Sequence, residues 1–292
     1  MRNMIVVSGT ASRILARELA NELNVKLIEA EHKYWPDGEQ IVRIPEDVKG
    51  ETAILVQTTY PDEKIIELLL LQDALKDAGV AKLITVVPYF GYARQDKRFN
   101  PGEPISAKTM AKHIELQSDM VITVDIHNPN ELAYFTKPVY SVSAMEEIGN
   151  YLKNLDHRKP DLIIAPDAGA IERAKKVAQI VGVEYDHLEK KRISGDTVEI
   201  KLKNLNVKGK KIAIVDDVIS TGGTILKASK QLKEQGALDI IAACVHGVFT
   251  NMADVKMRVC CDLVIASDTI ETERTRISAA PAVARFIRSQ AF

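Results

Sequence analysis

The chain has 292 residues, of which 46% are hydrophobic and 27% are charged. This length suits about two domains of ordinary size, and the composition is that of a globular protein that buries a sizeable core. The formal net charge of -1 excludes an overall positive field of the kind that draws nucleic acid or an acidic membrane. Anionic ligands would therefore be held by local basic clusters, of which three stand out: Arg94 with Lys97 and Arg98, Lys190-Lys191-Arg192, and Lys208-Lys210-Lys211.

The three cysteines, Cys244, Cys260 and Cys261, are odd in number and lie in apolar surroundings. This usage predicts free, buried thiols in a reducing compartment rather than a disulfide framework. The apolar run near the N-terminus is too short for a signal peptide, and the most apolar stretch, residues 65–71, is too short to cross a bilayer. We therefore expect a cytoplasmic protein without a membrane partner.

In chain order, short β-branched runs alternate with helical patterns. After a first strand near the N-terminus, buried parallel strands are predicted at residues 53–56, 83–87, 121–124, 162–164, 212–215 and 240–243. Helices are predicted between them, for example over residues 65–77 and 225–234. This alternation predicts an α/β fold in which helices flank a mainly parallel sheet.

The second half of the chain resembles the first at an offset of roughly 157 residues, which drops to about 143 after residue 90. The drop arises because residues 91–104 have no counterpart in the second half. We interpret this as two tandem copies of one domain, residues 1–143 and 144–292, with a hairpin-like insertion at about 91–104 in the first. The alternative is that any two α/β segments look alike at this level.

The copies differ where a strand passes into a helix. The second has an acidic pair, Asp216-Asp217, followed by Ser220-Thr221-Gly222-Gly223-Thr224, whereas residues 57–62 of the first have neither glycines nor the pair. Glycines, free amides and hydroxyls at a helix N-terminus suit a phosphate dianion. The two acids suit sugar hydroxyls, or a metal held through water. A sugar phosphate satisfies both needs, while a simple helix cap requires neither acids nor glycines.

This segment resembles the phosphoribosyl diphosphate binding motif of type I phosphoribosyltransferases and diphosphokinases. The resemblance implies that Asp216 and Asp217 contact the ribose hydroxyls of ribose 5-phosphate. It also implies that the loop from Ser220 to Thr224 holds the 5-phosphate. Many diphosphokinases have Asp where this chain has Ser220, so the loop departs from the family at that position.

Residues 88–98, continuing to the Pro104-Ile105-Ser106-Ala107-Lys108 string, resemble the ATP-contacting segment of ribose-phosphate diphosphokinases. The resemblance implies that Arg94 and Gln95 contact ATP, and a guanidinium and an amide are suited to phosphate and adenine edges. Phe99 stands where many family members have an acid, which puts an adenine contact there in doubt.

The turn Trp35-Pro36-Asp37-Gly38-Glu39 is similar to the family's adenine-binding turn. This similarity implies that Asp37, Gly38 and Glu39 contact ATP. Trp35 takes the aromatic place, but the only Trp of the sequence is equally compatible with a packed surface turn.

Two further matches imply the metal ligands. Val124-Asp125-Ile126-His127 resembles the family's strand-end motif with a magnesium-binding His, and Pro166-Asp167-Ala168-Gly169-Ala170 resembles a motif with a second metal contact. The resemblance therefore implies Mg²⁺ bound by His127 and Asp167. From the residues themselves, a hydrogen-bonded His at a strand end is the simpler interpretation, because Mg²⁺ prefers oxygen ligands.

Residues 188–192 and the polar stretch after them resemble the family's mobile catalytic loop. Lys190 and Arg192 match its catalytic residues, and Arg192 would also contact ribose 5-phosphate. Taken by itself, a run of charges is usually a solvated face.

Together these resemblances cover nearly the whole chain and imply a ribose-phosphate diphosphokinase of nucleotide biosynthesis. Its substrates would be ATP and ribose 5-phosphate, its metal Mg²⁺, and its assembly a homo-oligomer, at least a dimer. Two other interpretations stay open. A phosphoribosyltransferase would consume the diphosphate but needs neither a second domain nor the Arg94-Gln95 segment. A silent regulatory paralogue would keep the fold and lose residues such as Lys190 and His127, which are present.

Overall fold

The computed structural model describes residues 4–194, 197–201 and 206–290, and for residues 189–201 it describes the backbone only. The chain forms two compact units. The first runs to Ser143 and also contains Asp268–Glu271 and the chain from Ser278 onwards; the second contains Ala144–Ser267 and Thr272–Ile277. The sequence assigned residues 144–292 to one domain, whereas the structure groups the last stretch of the chain with the first unit.

The first unit is built on a six-stranded parallel sheet with the strand order β2-β1-β5-β6-β7-β8. Its elements begin with β1 (Met4–Ser8), α1 (Arg13–Leu23), β2 (Lys26–Glu29), β3 (Glu31–Tyr34), β4 (Gln40–Arg43) and β5 (Thr52–Val56). They continue with α2 (Glu63–Asp77), β6 (Lys82–Val87), α3 (Ser106–Ile114), β7 (Met120–Val124) and β8 (Val139–Val142). Strands β3 and β4 form a separate antiparallel hairpin.

The second unit repeats this plan with the strand order β10-β9-β13-β14-β15-β16. Its elements begin with α4 (Met145–Lys153), β9 (Leu162–Ala165), α5 (Ile171–Val181), β10 (Glu184–His187), β11 (Glu189–Ser194) and β12 (Thr197–Lys201). They continue with β13 (Lys211–Ile219), α6 (Gly223–Glu234), β14 (Asp239–Gly247), α7 (Ala253–Met257), β15 (Leu263–Ser267) and β16 (Thr275–Ile277). The last helix, α8 (Ala280–Ser289), lies in the first unit.

The two units share interactions as well as strand order, which supports the duplication. In the first, Asp119 Oδ2 accepts from Lys76 Nζ at 2.7 Å and from the backbone amide of Leu83 at 2.7 Å. In the second, Asp262 Oδ2 accepts from Lys233 Nζ at 2.6 Å and from the equivalent backbone amide of the next strand at 2.8 Å. An ion pair between a helix and the residue that precedes a strand, repeated at equivalent places, is not a general property of α/β folds.

The predicted strands and both example helices are confirmed, because buried β-branched runs form parallel strands. Helix α6 begins at Gly223, slightly before its predicted start. The insertion was expected to be hairpin-like, and this is wrong: residues 91–104 form turns and contain no strand. Its Gly and Pro residues favour turns, and Gly102 has the positive φ of +87° that a turn accommodates.

Both cores are made of aliphatic side chains on the two faces of each sheet. All five residues of β1 are buried, and α1 packs on the sheet through Leu15, Leu19 and Leu23. In the described part of the chain, no helix combines the length and apolarity required to cross a bilayer.

Candidate active site

The segment Ser220–Thr224, which the sequence predicts to bind a phosphate and which is called the phosphate loop below, joins the carboxyl end of β13 to the start of α6. Gly222 is the N-cap of α6 and adopts the left-handed conformation with φ +69° and ψ 3°. Because ligands of open parallel sheets lie beyond the carboxyl ends of the strands, this loop occupies the expected binding position. The first amides of α6 have no partners within the helix and can donate to an anion.

The two glycines of the loop have different surroundings. A Cβ placed on Gly222 would lie 3.0 Å from the Sδ atom of Met257 and 3.5 Å from the Cβ atom of Ala253. A Cβ placed on Gly223 would meet nothing closer than Thr221 Oγ1, at 3.9 Å. Gly222 is therefore required by the fold, whereas Gly223 leaves open space above the loop.

The acidic pair lies at the end of β13 and its members have different environments. Asp217 is buried and its Oδ2 atom lies 3.1 Å from the Nη2 atom of Arg173. Asp216 is half-buried, and its Oδ1 atom accepts from the backbone amide of Asp217 at 2.9 Å. Burial first, and then the neighbouring Asp217 carboxyl, raise the pKa of Asp216 far above its usual range, and Asp167 adds to this repulsion.

Arg173 is a residue that the sequence reasoning missed. It lies in the first turn of α5 and also donates to the backbone carbonyl of Gly169 at 3.2 Å. Because its position in the sequence does not indicate that it reaches β13, the pairing with Asp217 emerges only from the packing of α5 on the sheet. The hypothesis that both acids contact a sugar must therefore accommodate an arginine already bound to one of them.

Asp167 follows β9, on the strand next to β13, and its Oδ1 atom accepts from the backbone amide of Gly169 at 3.0 Å. Three carboxyl groups, Asp167, Asp216 and Asp217, thus lie in one electrostatic neighbourhood. Within the described residues, no three His, Cys, Asp or Glu side chains converge as a ready-made metal site.

His127 lies in the first unit, just beyond the end of β7. The residue after that strand, Asp125, has an unusual φ of +37°, so the backbone turns sharply before His127. Nearby Glu131 is buried, and its burial raises its pKa to about 7 although the backbone amide of Asn128 and the charge of His127 oppose the shift. His127 thus interacts electrostatically with the carboxyl group of Glu131, and the raised pKa means that Glu131 keeps its own proton to a higher pH than usual.

Gln95 is anchored at the start of α3, because its side-chain oxygen accepts from the Ser106 hydroxyl and its backbone oxygen accepts from the amide of Ala107 at 3.3 Å. The next residue, Asp96, accepts from Asn128 Nδ2 at 2.6 Å, which brings the insertion close to the segment that carries His127. Arg94 is exposed.

Phe99, the residue that departs from the family pattern, is 61% exposed, and Lys97 Nζ lies 5.9 Å from the centre of its ring. Its ring is therefore a surface feature of the insertion.

The turn of hairpin β3–β4 carries the other three predicted ATP contacts. Asp37 Oδ1 accepts from the backbone amide of Glu39 at 3.0 Å, and Gly38 has a positive φ of +91°. All five residues of the turn are exposed, and Trp35 is 53% exposed. The side chains of Glu39 and Trp35 are thus available to a ligand or a partner, whereas one carboxylate oxygen of Asp37 already accepts a hydrogen bond within the turn.

Lys190 and Arg192 lie on β11, where their backbones pair with Ile200 and Val198 of β12. Their side chains fall outside the part of the chain that the structure describes. The hairpin corresponds in chain order to hairpin β3–β4 of the first unit, as the duplication requires.

In the first unit, the equivalent strand-to-helix crevice is filled by the protein's own polar groups. The backbone amide and hydroxyl of Thr10 each donate to the buried carboxylate of Glu67 at 2.6 Å, and Lys64 Nζ donates to it at 3.1 Å. A Cβ on Gly9 would lie 2.2 Å from Gln57 Oε1, so this side chain occupies the space beside the strand end. The strand ends of the first unit thus contact a carboxylate whose hydrogen bonds are satisfied within the protein.

Comparison with known proteins agrees with the division of the chain into two different units. Residues 4–117 match the N-terminal domain of ribose phosphate pyrophosphokinase, and residues 143–274 match the phosphoribosyl transferase domain. The ribose-phosphate pyrophosphokinase of Methanopyrus kandleri is 43% identical over 289 residues, covering 98% of this chain and 99% of its own. That of Pyrococcus abyssi is 43% identical over 277 residues, covering 94% and 95% respectively.

Among solved structures, the phosphoribosylpyrophosphate synthetase of Mycobacterium smegmatis superposes with a TM-score of 0.83 at 30% identity, covering 98% of each chain. Similarity of sequence and structure thus extends over both units. The chain therefore belongs to the ribose-phosphate pyrophosphokinase family.

Proposed function

We propose that this chain transfers the β,γ-diphosphate of ATP to the C1 hydroxyl of ribose 5-phosphate, giving 5-phosphoribosyl 1-diphosphate and AMP. The observation that carries the proposal is a glycine loop beside an acidic pair at a strand end. It occurs in a chain similar over its full length to named ribose-phosphate pyrophosphokinases. The reaction makes one bond, from the C1 oxygen to the β-phosphorus. It breaks one, from the β-phosphorus to the α,β-bridging oxygen, and the proton of the hydroxyl is released.

Ribose 5-phosphate would bind to the second unit. The loop amides and the hydroxyls of Ser220, Thr221 and Thr224 would donate to the 5-phosphate, and Gly222 and Gly223 allow the backbone to approach it. Asp216 and Asp217 would accept from the ribose hydroxyls, with Arg173 holding Asp217 in place. Arg192 would add a second contact to the sugar phosphate.

ATP would be bound by Arg94 and Gln95 of the insertion and by Asp37, Gly38 and Glu39 of the hairpin turn. The anchoring of Gln95 by Ser106 supports a fixed amide at this position. Because the hairpin turn is exposed, its ATP contacts require a facing surface, which a second copy of the chain would supply. We therefore propose a homo-oligomer, at least a dimer.

Magnesium fits the donors of the second unit. Carboxylate oxygens are the ligands that Mg²⁺ prefers, and it is commonly held by one or two carboxylates together with substrate phosphates. The mutual repulsion of Asp167, Asp216 and Asp217 is the kind of charge that a divalent cation offsets. Asp167 would be a ligand of the ion in the second unit, and the chemistry of the ion would be to neutralise charge on the phosphate oxygens. His127, which lies in the first unit, is proposed as a ligand on the family resemblance alone.

Lys190 and Arg192 would stabilise the negative charge that develops on the transferred group and on the leaving oxygen. Electrostatic stabilisation and positioning dominate phosphoryl transfer, because the protein has little covalent chemistry to do. The proposal therefore assigns these two residues to the transition state more than to substrate binding.

The experiment that tests the function is phosphorus NMR of the purified protein with ATP, Mg²⁺ and ribose 5-phosphate. AMP and a new sugar diphosphate should appear together, and only when the sugar is present. ADP as the product would mean that the sugar attacks the γ-phosphorus of ATP and not the proposed β-phosphorus. Unchanged ATP from a folded protein that binds the sugar would favour a silent paralogue.

Lys190→Ala should lower kcat by roughly two orders of magnitude or more and change the affinity for ribose 5-phosphate far less, because it removes charge stabilisation in the transition state. Steady-state kinetics and calorimetric binding of the sugar phosphate measure the two effects separately. Lys191→Ala is the matched control, because neighbouring positions of a strand belong to opposite faces. Equal losses of kcat and of sugar affinity in Lys190→Ala would refute the assigned role.

A further inference from the structure

The segment Phe249–Met252, which follows β14, lies directly against the phosphate loop. The backbone amide of Phe249 donates to the carbonyl of Ile219 at 3.0 Å, at the residue before the loop. The hydroxyl oxygen of Thr250 lies 3.3 Å from that of Ser220, the first residue of the loop. The segment therefore contacts the loop through a backbone hydrogen bond and through a pair of hydroxyl groups.

The backbone of this segment is strained on both sides of Thr250. Phe249, Asn251 and Met252 have φ values of +46°, +55° and +58°, which non-glycine residues seldom adopt. Such conformations persist only where the surrounding structure enforces them, and they cluster at ligand-binding sites.

Burial explains the conformation only at Phe249, whose ring packs against the hydrophobic core of the second unit. Asn251 is exposed and Met252 is 65% exposed, so neither gains a core position in return for its backbone geometry. Thr250, by contrast, is half-buried and turned towards the loop. The strain thus has a local consequence, which is to place the Thr250 hydroxyl beside Ser220.

We propose that Thr250 is a positioning residue that orients the Ser220 hydroxyl towards the phosphate of the sugar substrate. This inference rests on the proposed function of the loop. A phosphate dianion only accepts hydrogen bonds, and a serine hydroxyl has one hydrogen to donate. When Ser220 donates it to the phosphate, its oxygen is left to accept, and the Thr250 hydroxyl, 3.3 Å away, is the neighbouring group that can donate to it. Thr250 thereby fixes the rotation of the Ser220 hydroxyl before the ligand arrives.

The first test compares Thr250→Val with Thr250→Ser. Valine keeps the shape and removes the hydroxyl, so the dissociation constant and KM for ribose 5-phosphate should rise roughly three- to tenfold, the effect of one hydrogen bond. The KM for ATP and kcat should change little, and Thr250→Ser should restore the affinity. Titration calorimetry with ribose 5-phosphate and no ATP reads the affinity directly. Unaltered affinity in folded Thr250→Val would overturn the inference.

A double-mutant cycle separates positioning from packing. In a Ser220→Ala background, Thr250→Val should cause no further loss of ribose 5-phosphate affinity, because the hydroxyl that it orients is absent. Additive losses would mean that Thr250 acts independently of Ser220, and the proposal would then be rejected. If the wild-type protein neither binds ribose 5-phosphate nor forms AMP, the proposed function is wrong. If the wild-type protein does both and Thr250→Val binds ribose 5-phosphate equally well, only the role of Thr250 is wrong.

Discussion

Two buried carboxyl groups, Glu67 on α2 of the first unit and Asp216 near the end of β13 in the second, differ in the direction of their pKa shifts. Burial on its own raises the pKa of Glu67 in the first unit, but hydrogen bonds from Thr10 and Lys64 outweigh it and hold the pKa below its usual value. In the second unit, Asp216 has a raised pKa because it is buried next to other carboxyl groups. A satisfied carboxylate stabilises the fold, whereas a cluster of carboxyl groups with raised pKa values is typical of a functional site.

Glu67→Gln should destabilise the protein by roughly 3 kcal/mol, because it leaves the half-buried Lys64 charge without its partner. Since the pKa of Glu67 is lowered on folding, its contribution is present above the unfolded-state value of 4.5 and is lost as the pH falls through the folded-state pKa. Melting temperatures measured from pH 3 to pH 7 should show a shallower acid decline in the variant. Glu63→Gln, an exposed position on the same helix, should behave like the wild type. Parallel pH profiles for wild type and Glu67→Gln would contradict this account.

At the scale of elements, the site depends on how β13 passes into α6. Strand β13 has nine residues, whereas β5 has five, so the acidic pair lies on β13 near the carboxyl ends of the strands. The left-handed Gly222 then starts the helix at once. The two glycines of this junction have different roles. Gly222 is needed for the left-handed turn, and Gly223 leaves open the space in which we propose that the phosphate binds.

Gly222→Ala should destabilise the second unit by roughly 1–2 kcal/mol, because a side chain disfavours the left-handed conformation and would also press on Met257. Gly223→Ala should leave stability nearly unchanged, because the nearest side-chain atom to the added methyl group, Thr221 Oγ1, lies at an ordinary contact distance of 3.9 Å. It should nevertheless weaken ribose 5-phosphate binding, since the methyl group would enter the space left for the phosphate. Chemical denaturation and calorimetry measure the two effects. A destabilised Gly223→Ala with normal binding would be the opposite of this expectation.

At the scale of the whole molecule, two copies of one plan have diverged in the use of their strand ends. The first unit fills its crevice with Gln57 and Glu67, whereas the second keeps an open glycine loop. The chain also returns to the first unit at its end, where Asp268 accepts from the amide of Ala279 at 2.8 Å. In α8, Phe286 lies 4.7 Å from Tyr140, measured between ring centroids, and Arg288 donates to the backbone of Glu22.

Truncating the buried Ile287 of α8 should therefore weaken the first unit and not the second. Ile287→Ala removes a fully packed side chain and should cost roughly 2–5 kcal/mol in that unit. Hydrogen exchange should show reduced protection in β1 and β8 while β13 and β14 stay protected. Leu232→Ala in α6 is the matched variant, and its protection pattern should be the reverse. If Ile287→Ala reduced protection only in β13 and β14, the assignment of α8 to the first unit would be wrong.

The sequence by itself determined the strands, the duplicated plan and the glycine turn that begins α6, for which it predicts phosphate binding. It could do so because buried parallel strands require continuous β-branched runs, and a loop that approaches a phosphate requires glycines at fixed positions. Family resemblance then extended this to a reaction and to site residues such as Lys190, Arg94 and His127, whose roles remain predictions.

Only the tertiary structure decided which distant residues meet. The pairing of Arg173 with Asp217, the approach of Thr250 to Ser220, and the return of α8 to the first unit join segments far apart in sequence. None has a local signature, because each depends on how helices and loops pack across the sheet edge, and many sequences satisfy local preferences equally well. The turns at residues 91–104 are a different case, because their Gly and Pro residues are a local signal for turns. The contact of Asp96 with Asn128 then joins these turns to a segment that is distant in sequence.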